Sequence, residues 1–224
     1  RADLALLEPV NATQNKDTKV MAISIMNGST SGNAPHGLNK AEANTFTYWQ
    51  YVDTLVYWGG SSGEGLIVAP SPDVVDAGHK NGVKVIGTVF MPQAAHGGKI
   101  EWLDDLLQKR EDGSYPVVDK LIEVAEIYGF DGWFINQETE DALTKDHADR
   151  MQEFLAYFKQ QAPDLELIYY DSMTVDGEMD WQNALTEKNA AYMKDVEGNS
   201  VADSMFLNFW WTTDTLAPEE LLKT

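Results

Sequence analysis

Two polar residues, Asn136 and Glu138, stand two positions apart at the end of the segment Phe130–Glu138, which reads as a strand ending in polar residues. If that run is a β-strand, residues two apart project from the same face, so the amide and the carboxyl lie side by side. Polar groups at the end of a buried strand are costly to desolvate, which favours a task for them. A carboxyl group in such a place suits proton transfer. The competing interpretation is structural: both residues would cap the next helix, whose start Thr139 and Glu140 mark.

The combination of one carboxyl group with one amide predicts a particular route for breaking a glycosidic bond. Glycoside hydrolases ordinarily use two carboxylates, one to protonate the leaving oxygen and one to attack or to activate water. An amide can do neither, but Asn136 can hydrogen-bond to an amide of the substrate and hold it in place. A 2-acetamido sugar carries such an amide, and its carbonyl oxygen can attack the anomeric carbon to give an oxazoline. Glu138 then serves first as an acid and later as a base.

The segments that must position these residues alternate short apolar runs with amphipathic helices, which is typical of βαβ units around a parallel sheet. Several runs are nearly continuous in Val, Ile, Leu and Phe, as expected of strands buried on both faces. The six strand candidates are Lys19–Met26, Thr54–Trp58, Val83–Phe90, Gly132–Gln137, Leu165–Tyr170 and Met205–Trp210. They predict an α/β fold, a (β/α)8 TIM barrel of which this sequence covers about six of the eight strand–helix units. An open six-stranded α/β sheet is the structural alternative.

Helix signals separate these strands. Ser71-Pro72-Asp73 predicts a helix start, with proline at the first helical position, and Asn81-Gly82 predicts its end. Residues 115–128 place their apolar side chains on one stripe of a further helix. A last helix begins near Ala217, one turn before the final residue. We therefore expect residues 1–224 to form one catalytic barrel domain, a fragment whose missing barrel segments belong to the same parent chain.

The charge and composition exclude several classes of partner and site. With 16 basic and 36 acidic residues, the net charge of −20 argues against nucleic acid and anionic membrane surfaces as partners. No apolar run approaches the roughly 18 residues that cross a membrane, so no membrane insertion is expected. The absence of cysteine excludes disulfides, thiol nucleophiles and zinc–thiolate sites. No metal or cofactor is predicted, because no nucleotide fingerprint is present and metal spacing is lacking among His36, His79, His96 and His147.

The segment Phe130-Asp131-Gly132-Trp133-Phe134-Ile135-Asn136-Gln137-Glu138 resembles the signature of glycoside hydrolase family 85, and the likeness runs over essentially the whole chain. The segment is also similar to the family 18 chitinase pattern Phe-Asp-Gly-x-Asp-x-Asp-x-Glu. However, Phe134 and Asn136 stand where that pattern has its two inner aspartates. The difference favours family 85 and, within it, the bacterial Endo-D type known from streptococci.

This resemblance implies an activity and a set of roles. Family 85 members are endo-β-N-acetylglucosaminidases that cleave between the two core N-acetylglucosamines of N-linked glycans, with retention and by the substrate-assisted oxazoline route, and transglycosylation is a further expectation. By resemblance, Glu138 is the general acid/base, Asn136 orients the acetamido group and Tyr170 helps to position it. The resemblance also implies an extracellular or cell-surface location in a bacterium.

Further side chains at the ends of predicted strands match family positions that bind the sugar. They are Trp58, Phe90, Trp181, Asn208, Phe209 and Trp210. Aromatic rings stack on the C–H faces of sugars, each contact worth on the order of 1 kcal/mol by analogy with aromatic pairs. For any one ring, packing in the core is the competing interpretation. Tyr170 could likewise be a core residue with a solvated hydroxyl, and Tyr169 should point to the other side of its strand.

Two other functions stay open on the sequence. A chitinase-like hydrolase would cleave free polymers, and the two missing aspartates count against it. A non-catalytic sugar-binding barrel is the second alternative, and the presence of Glu138 counts against it.

Overall fold

The computed structural model describes residues 1–25, 46–60 and 65–222. Its strands are β1 (Met21–Ile25), β2 (Thr54–Trp58), β3 (Ile67–Val68), β4 (Lys84–Met91), β5 (Gly132–Gln137), β6 (Glu166–Tyr170) and β7 (Ser204–Phe206). Its α-helices are α1 (Pro72–Lys80), α2 (Ile100–Leu106), α3 (Pro116–Tyr128), α4 (Lys145–Gln161) and α5 (Glu219–Leu222). Short 3-10 turns occupy Trp49–Tyr51, Ala94–His96 and Ala190–Tyr192. Met26 of the first predicted strand and His36 lie outside the described residues.

The chain divides into two compact units that both draw on β4, α3 and β5. Unit 1 comprises residues 1–89 and 123–134, and unit 2 comprises residues 90–122 and 135–224. In unit 1 the neighbouring strands run in the order β1, β2, β4, β5, and in unit 2 the order is β4, β5, β6, β7. The pairs β1–β2, β2–β4 and β6–β7 are parallel, whereas the two-residue β3 lies antiparallel on β4.

This strand order decides between the two predicted architectures. An open doubly wound sheet reverses its strand order at a switch point. Here each of the six main strands lies beside the next one along the chain, with no reversal, as in consecutive units of a (β/α)8 barrel. The prediction of a partial barrel is therefore confirmed. The additional strand β3 was missed because a two-residue strand has no periodicity to read.

Strand β5 is buried along its whole length, which explains why it reads as an apolar run. In unit 1, the Trp133 ring is 0% exposed and meets the ring of Phe130 edge to face at 5.1 Å. It also lies over Gly87 of β4, where a Cβ atom would come within 2.7 Å of the indole. Glycine at 87 thus allows the close approach that seats Trp133 in the core.

The start of β5 is held by a buried ion pair in unit 1. Oδ2 of Asp131 accepts hydrogen bonds from the main-chain nitrogen of Val85 at 2.8 Å and from Nε2 of His79 at 2.7 Å. Nδ1 of His79 lies 2.6 Å from the carbonyl oxygen of Leu4. Both ring nitrogens therefore face acceptors, which requires a proton on each. The hydrogen bond to Asp131 raises the pKa of His79, against the opposing effect of burial.

The helix after β5 begins later than the capping interpretation requires. Helix α4 starts at Lys145, and Thr144 is its N-cap residue. The main-chain nitrogen of Thr144 donates to Nδ1 of His147 at 3.1 Å, and these two residues form the capping box at the start of the helix. Asn136 and Glu138 consequently do not cap this helix, and the structural interpretation of the pair is wrong.

The last predicted strand is longer than the observed one. Strand β7 ends at Phe206, whereas the sequence predicts a strand that continues to Trp210. In the register of the sheet, Phe206 pairs with Tyr170, the last residue of β6. Residues after Phe206 therefore have no strand beside them in β6, and Phe209 does not end a strand as predicted.

Candidate functional site

The carboxyl end of β5 carries Asn136 and Glu138, both in unit 2. Asn136 is 4% exposed, and Glu138 is half-buried one residue beyond the strand. The main-chain nitrogen of Glu138 donates to the carbonyl oxygen of Met91 at 2.8 Å, which extends the β5 backbone alongside the end of β4. Between them, Nε2 of Gln137 donates to the carbonyl oxygen of Thr139 at 2.8 Å, and Oε1 of Gln137 accepts from the main-chain nitrogen of Thr139 at 3.1 Å. The alternation of the strand thus brings the amide and the carboxyl group together, as predicted.

Burial is the largest influence on Glu138, and it raises the pKa of this carboxyl group. Hydrogen bonds from the side chains of Gln93 and Asn136 act in the opposite direction and stabilise the ionised form. His96 also lowers this pKa and Glu140 raises it, each through its charge. A carboxyl group with these opposing influences can hold a proton for donation and can also be stabilised once the proton has left.

Gln93 is a member of the site that sequence reasoning missed. It lies two residues after β4, and its side chain, like that of Asn136, is close enough to Glu138 to lower the pKa of that carboxyl group. The signal that could have found it is position, because a polar residue just past the carboxyl end of a barrel strand faces the site.

The nitrogen and the oxygen of the Asn136 side-chain amide differ in their hydrogen-bonding surroundings. Its Nδ2 group is the only side-chain donor of asparagine, and the Asn136 side chain lies close enough to Glu138 to lower the pKa of that carboxyl group. Its Oδ1 atom is buried, and no donor among the described residues lies within hydrogen-bond distance. An unsatisfied buried acceptor costs about 1–3 kcal/mol. An amide N–H donated to Oδ1 would remove that cost.

Tyr170, the last residue of β6, is 7% exposed. Its hydroxyl group donates to Oδ1 of Asn208 at 2.8 Å, and the nearby side chain of Trp181 acts to lower its pKa. Burial raises the pKa of Tyr170 to about 12, and the negative charge of Glu138 contributes in the same direction. The phenol therefore stays protonated near the acid. Tyr169 is fully buried, and its ring stacks on that of Tyr192 at 4.3 Å, whereas the Tyr170 ring lies beside that of Phe206.

The structure places two of the predicted sugar-binding residues beside Tyr170. Trp181 and Asn208 both contact Tyr170, and Phe90 is a half-buried residue near the end of β4. Trp58 ends β2 in unit 1, where its ring lies 6.0 Å from that of Phe134. The other two members are Phe209 and Trp210, exposed by 64% and 72% and with ring centroids 5.9 Å apart. Contact of these rings with sugar stays a prediction.

Residues 1–25, 46–60 and 65–222 contain no group of three His, Cys, Asp or Glu side chains that is close enough to hold a metal ion. No helix in the same ranges is both long and apolar enough to cross a membrane. The predicted absence of a cofactor and of membrane insertion stays a prediction.

Comparison with known sequences places the chain in a family. Residues 26–223 match the sequence model of glycosyl hydrolase family 85. The chain is 30% identical over 176 residues to the cytosolic endo-beta-N-acetylglucosaminidase of Mus musculus, covering 77% of this chain and 22% of that protein. It is 32% identical over 168 residues to the cytosolic endo-beta-N-acetylglucosaminidase 2 of Arabidopsis thaliana, covering 73% of this chain and 22% of that protein. The chain thus spans about a fifth of these relatives.

Comparison with solved structures agrees with the family and the fold. The chain is similar to the glycoside hydrolase domain of Endo-D from Streptococcus pneumoniae R6, with a TM-score of 0.78 and 35% sequence identity. The likeness covers 94% of this chain and 34% of that one. The predicted resemblance to the Endo-D type is confirmed.

The predicted extracellular or cell-surface location is contradicted. The mouse and Arabidopsis relatives are both named cytosolic, although Endo-D is a bacterial protein. The prediction came from the streptococcal resemblance alone. A chain without cysteine carries no disulfide framework, so its composition did not require an exported protein.

Proposed function

The chain belongs to glycoside hydrolase family 85, and we propose that it carries the catalytic residues of an endo-β-N-acetylglucosaminidase. The proposed substrate is an N-linked glycan, and the proposed bond is the one between its two core N-acetylglucosamines. The names of the mouse and Arabidopsis relatives support the activity. The observation that carries the mechanism is the Asn136 amide, which lies beside Glu138, lowers the pKa of that carboxyl group and has a buried acceptor, Oδ1, without a hydrogen-bond partner in the described residues.

In the first step, the acetamido carbonyl oxygen of the substrate attacks the anomeric carbon from the face opposite the leaving group. The bond to the leaving oxygen breaks as Glu138 gives that oxygen its proton, and an oxazolinium ring, which keeps the amide proton on nitrogen, forms on the sugar. Asn136 assists because its Oδ1 atom accepts the acetamido N–H, which becomes more positive as its carbonyl oxygen forms the new bond. The raised pKa of Glu138, caused chiefly by burial, favours the protonated acid that this step needs.

In the second step, Glu138 acts as the base. Its carboxylate takes a proton from a water molecule, and the water oxygen attacks the anomeric carbon while the oxazoline ring opens. Two attacks from opposite faces give overall retention. The hydrogen bonds from Gln93 and Asn136 stabilise the carboxylate between the steps. When a sugar hydroxyl takes the place of water, the same step is transglycosylation.

Two variants test this proposal with the full-length protein. Glu138→Gln should lower hydrolysis of a glycopeptide that carries a high-mannose N-glycan by at least 10²-fold, because the acid and base are lost. Asn136→Ala should lower the same reaction comparably, yet it should keep part of the activity on a pre-formed sugar oxazoline, which has already passed the assisted step. Mass spectrometry should show one N-acetylglucosamine left on the glycopeptide after wild-type treatment.

Matched controls are available on the surface. Glu197→Gln and Asn199→Ala make the same chemical changes at exposed positions and should leave both reactions unchanged. Normal glycopeptide hydrolysis by Asn136→Ala would refute substrate assistance. Faster cleavage of chitin oligomers than of the glycopeptide by wild type would favour a chitinase-like enzyme, and no cleavage of either by full-length wild type would favour a sugar-binding barrel.

A further inference from the structure

The side-chain amide of Asn183 has only one possible orientation. Its Oδ1 atom accepts the main-chain N–H of Trp210 at 3.0 Å, and its Nδ2 group donates to the main-chain carbonyl oxygen of Trp181 at 3.1 Å. A main-chain N–H can only donate and a carbonyl oxygen can only accept, so exchange of the two ends of this amide would break both bonds. Asn183 also has a φ of 58°, a left-handed conformation that asparagine and glycine adopt readily.

The orientation of the Asn183 amide determines that of the Asn208 amide, which in turn determines the direction of the Tyr170 hydroxyl group. Oδ1 of Asn183 lies 2.7 Å from Nδ2 of Asn208, which therefore turns its own Oδ1 atom the other way. That oxygen lies 2.8 Å from the hydroxyl group of Tyr170 and can only accept. The phenolic proton must then point at Asn208. Two main-chain groups in the loops after β6 and β7 thus determine where the hydroxyl hydrogen of a site residue lies.

One buried carboxyl group anchors both asparagines of this chain of hydrogen bonds. Asp171 follows Tyr170 directly and is 1% exposed. Its Oδ2 atom accepts from the main-chain nitrogens of Asn183 at 2.7 Å and of Asn208 at 3.4 Å. Its Oδ1 atom accepts from Nδ2 of Asn189 at 2.9 Å. A buried acid with this many donors fixes the backbone from which the two amides project, so their geometry is built into the fold.

We infer that Asn183 is a positioning residue that sets the hydroxyl direction of Tyr170 for the oxazoline-forming step. The inference rests on the proposed function and on the role in positioning the acetamido group that the family resemblance implies for Tyr170. Without the Asn183 amide, Asn208 can turn over and present its Nδ2 group to Tyr170. The hydroxyl hydrogen then leaves its position, and only part of the bound complexes can react.

The test is a double-mutant cycle in the full-length protein with Asn183→Gly and Tyr170→Phe. Glycine keeps the left-handed backbone at position 183 and removes only the amide. Asn183→Gly alone should lower kcat on the N-glycan roughly tenfold, as expected for one hydrogen bond, with KM changed by less than about twofold. In the Tyr170→Phe background the same change should lower kcat by less than about twofold, because no hydroxyl remains to be oriented.

Asn183→Asp provides a rescue. Aspartate tolerates the same backbone and keeps an acceptor facing Asn208, so it should retain more activity than the glycine variant. If Asn183→Gly does not fold, as judged by its melting transition, the cycle is run with Asn208→Ala, which releases the same hydroxyl. Additive losses in a folded double mutant, or equal losses from the glycine and aspartate variants, overturn the inference. If wild type does not cleave the N-glycan, the proposed function itself has failed, which is a different result.

Discussion

The ion pair between Asp131 and His79 gives a quantitative test of how the start of β5 is held. Asp131→Asn keeps an oxygen that can accept from Val85 and His79, at the present 2.8 and 2.7 Å, but it removes the negative charge. The imidazole is 5% exposed, so its positive charge would lose its counter-charge away from water. Breaking a buried pair costs about 3–5 kcal/mol, and the 20% exposure of Asp131 places this one at the low end, about 3 kcal/mol. For a chain of this size, that lowers Tm by roughly 6–12 °C.

The loss should depend on pH with a definite sign. The pKa of His79 is raised in the folded chain, chiefly by its hydrogen bond to Asp131. For a base with a raised pKa, the added stability is fully present below the unfolded value of about 6.5 and is lost as the pH rises through the folded value. Wild type and Asp131→Asn should therefore differ most near pH 6 and converge toward alkaline pH.

Urea unfolding followed by tryptophan fluorescence, repeated across this pH range, measures the difference. Asp164→Asn removes the same charge from an exposed residue and should change the free energy of unfolding by less than about 0.5 kcal/mol. A difference between wild type and Asp131→Asn that is constant, or that grows with pH, would show that His79 is not the buried cation described here.

Three further changes give distinct readouts. Gln93→Leu removes a donor that lowers the pKa of Glu138, so the alkaline limb of the kcat/KM profile should move to higher pH; a move to lower pH contradicts this. Gly87→Ala brings a Cβ atom within 2.7 Å of the Trp133 ring and should destabilise the chain by about 1–3 kcal/mol, so an unchanged urea midpoint argues against this packing. Phe154→Ala empties a site with 0% exposure and should cost about 3–5 kcal/mol in urea unfolding, and a loss below about 1 kcal/mol contradicts its place in the core.

The strands show where sequence reasoning succeeds and where it fails. The predicted bounds of β2 and β5 are the observed ones, because both strands are largely buried and their apolar runs end where burial ends. Strand β7 is shorter than predicted, because its length depends on where β6 ends beside it. That information comes from a strand more than thirty residues earlier and is absent from the local pattern.

The candidate site divides in the same way. Asn136 and Glu138 could be paired from the sequence, since the two-residue repeat of a strand puts both on one face whatever surrounds them. Gln93 and Asn183 could not be found by that argument, because their partners lie 45 and 25 residues away, at Glu138 and at Asn208. Spacing along a strand is local geometry, which the residue types and their order already contain. Which amide bonds to which acid, and where a phenolic proton points, depend on packing between elements, and only the folded chain decides them.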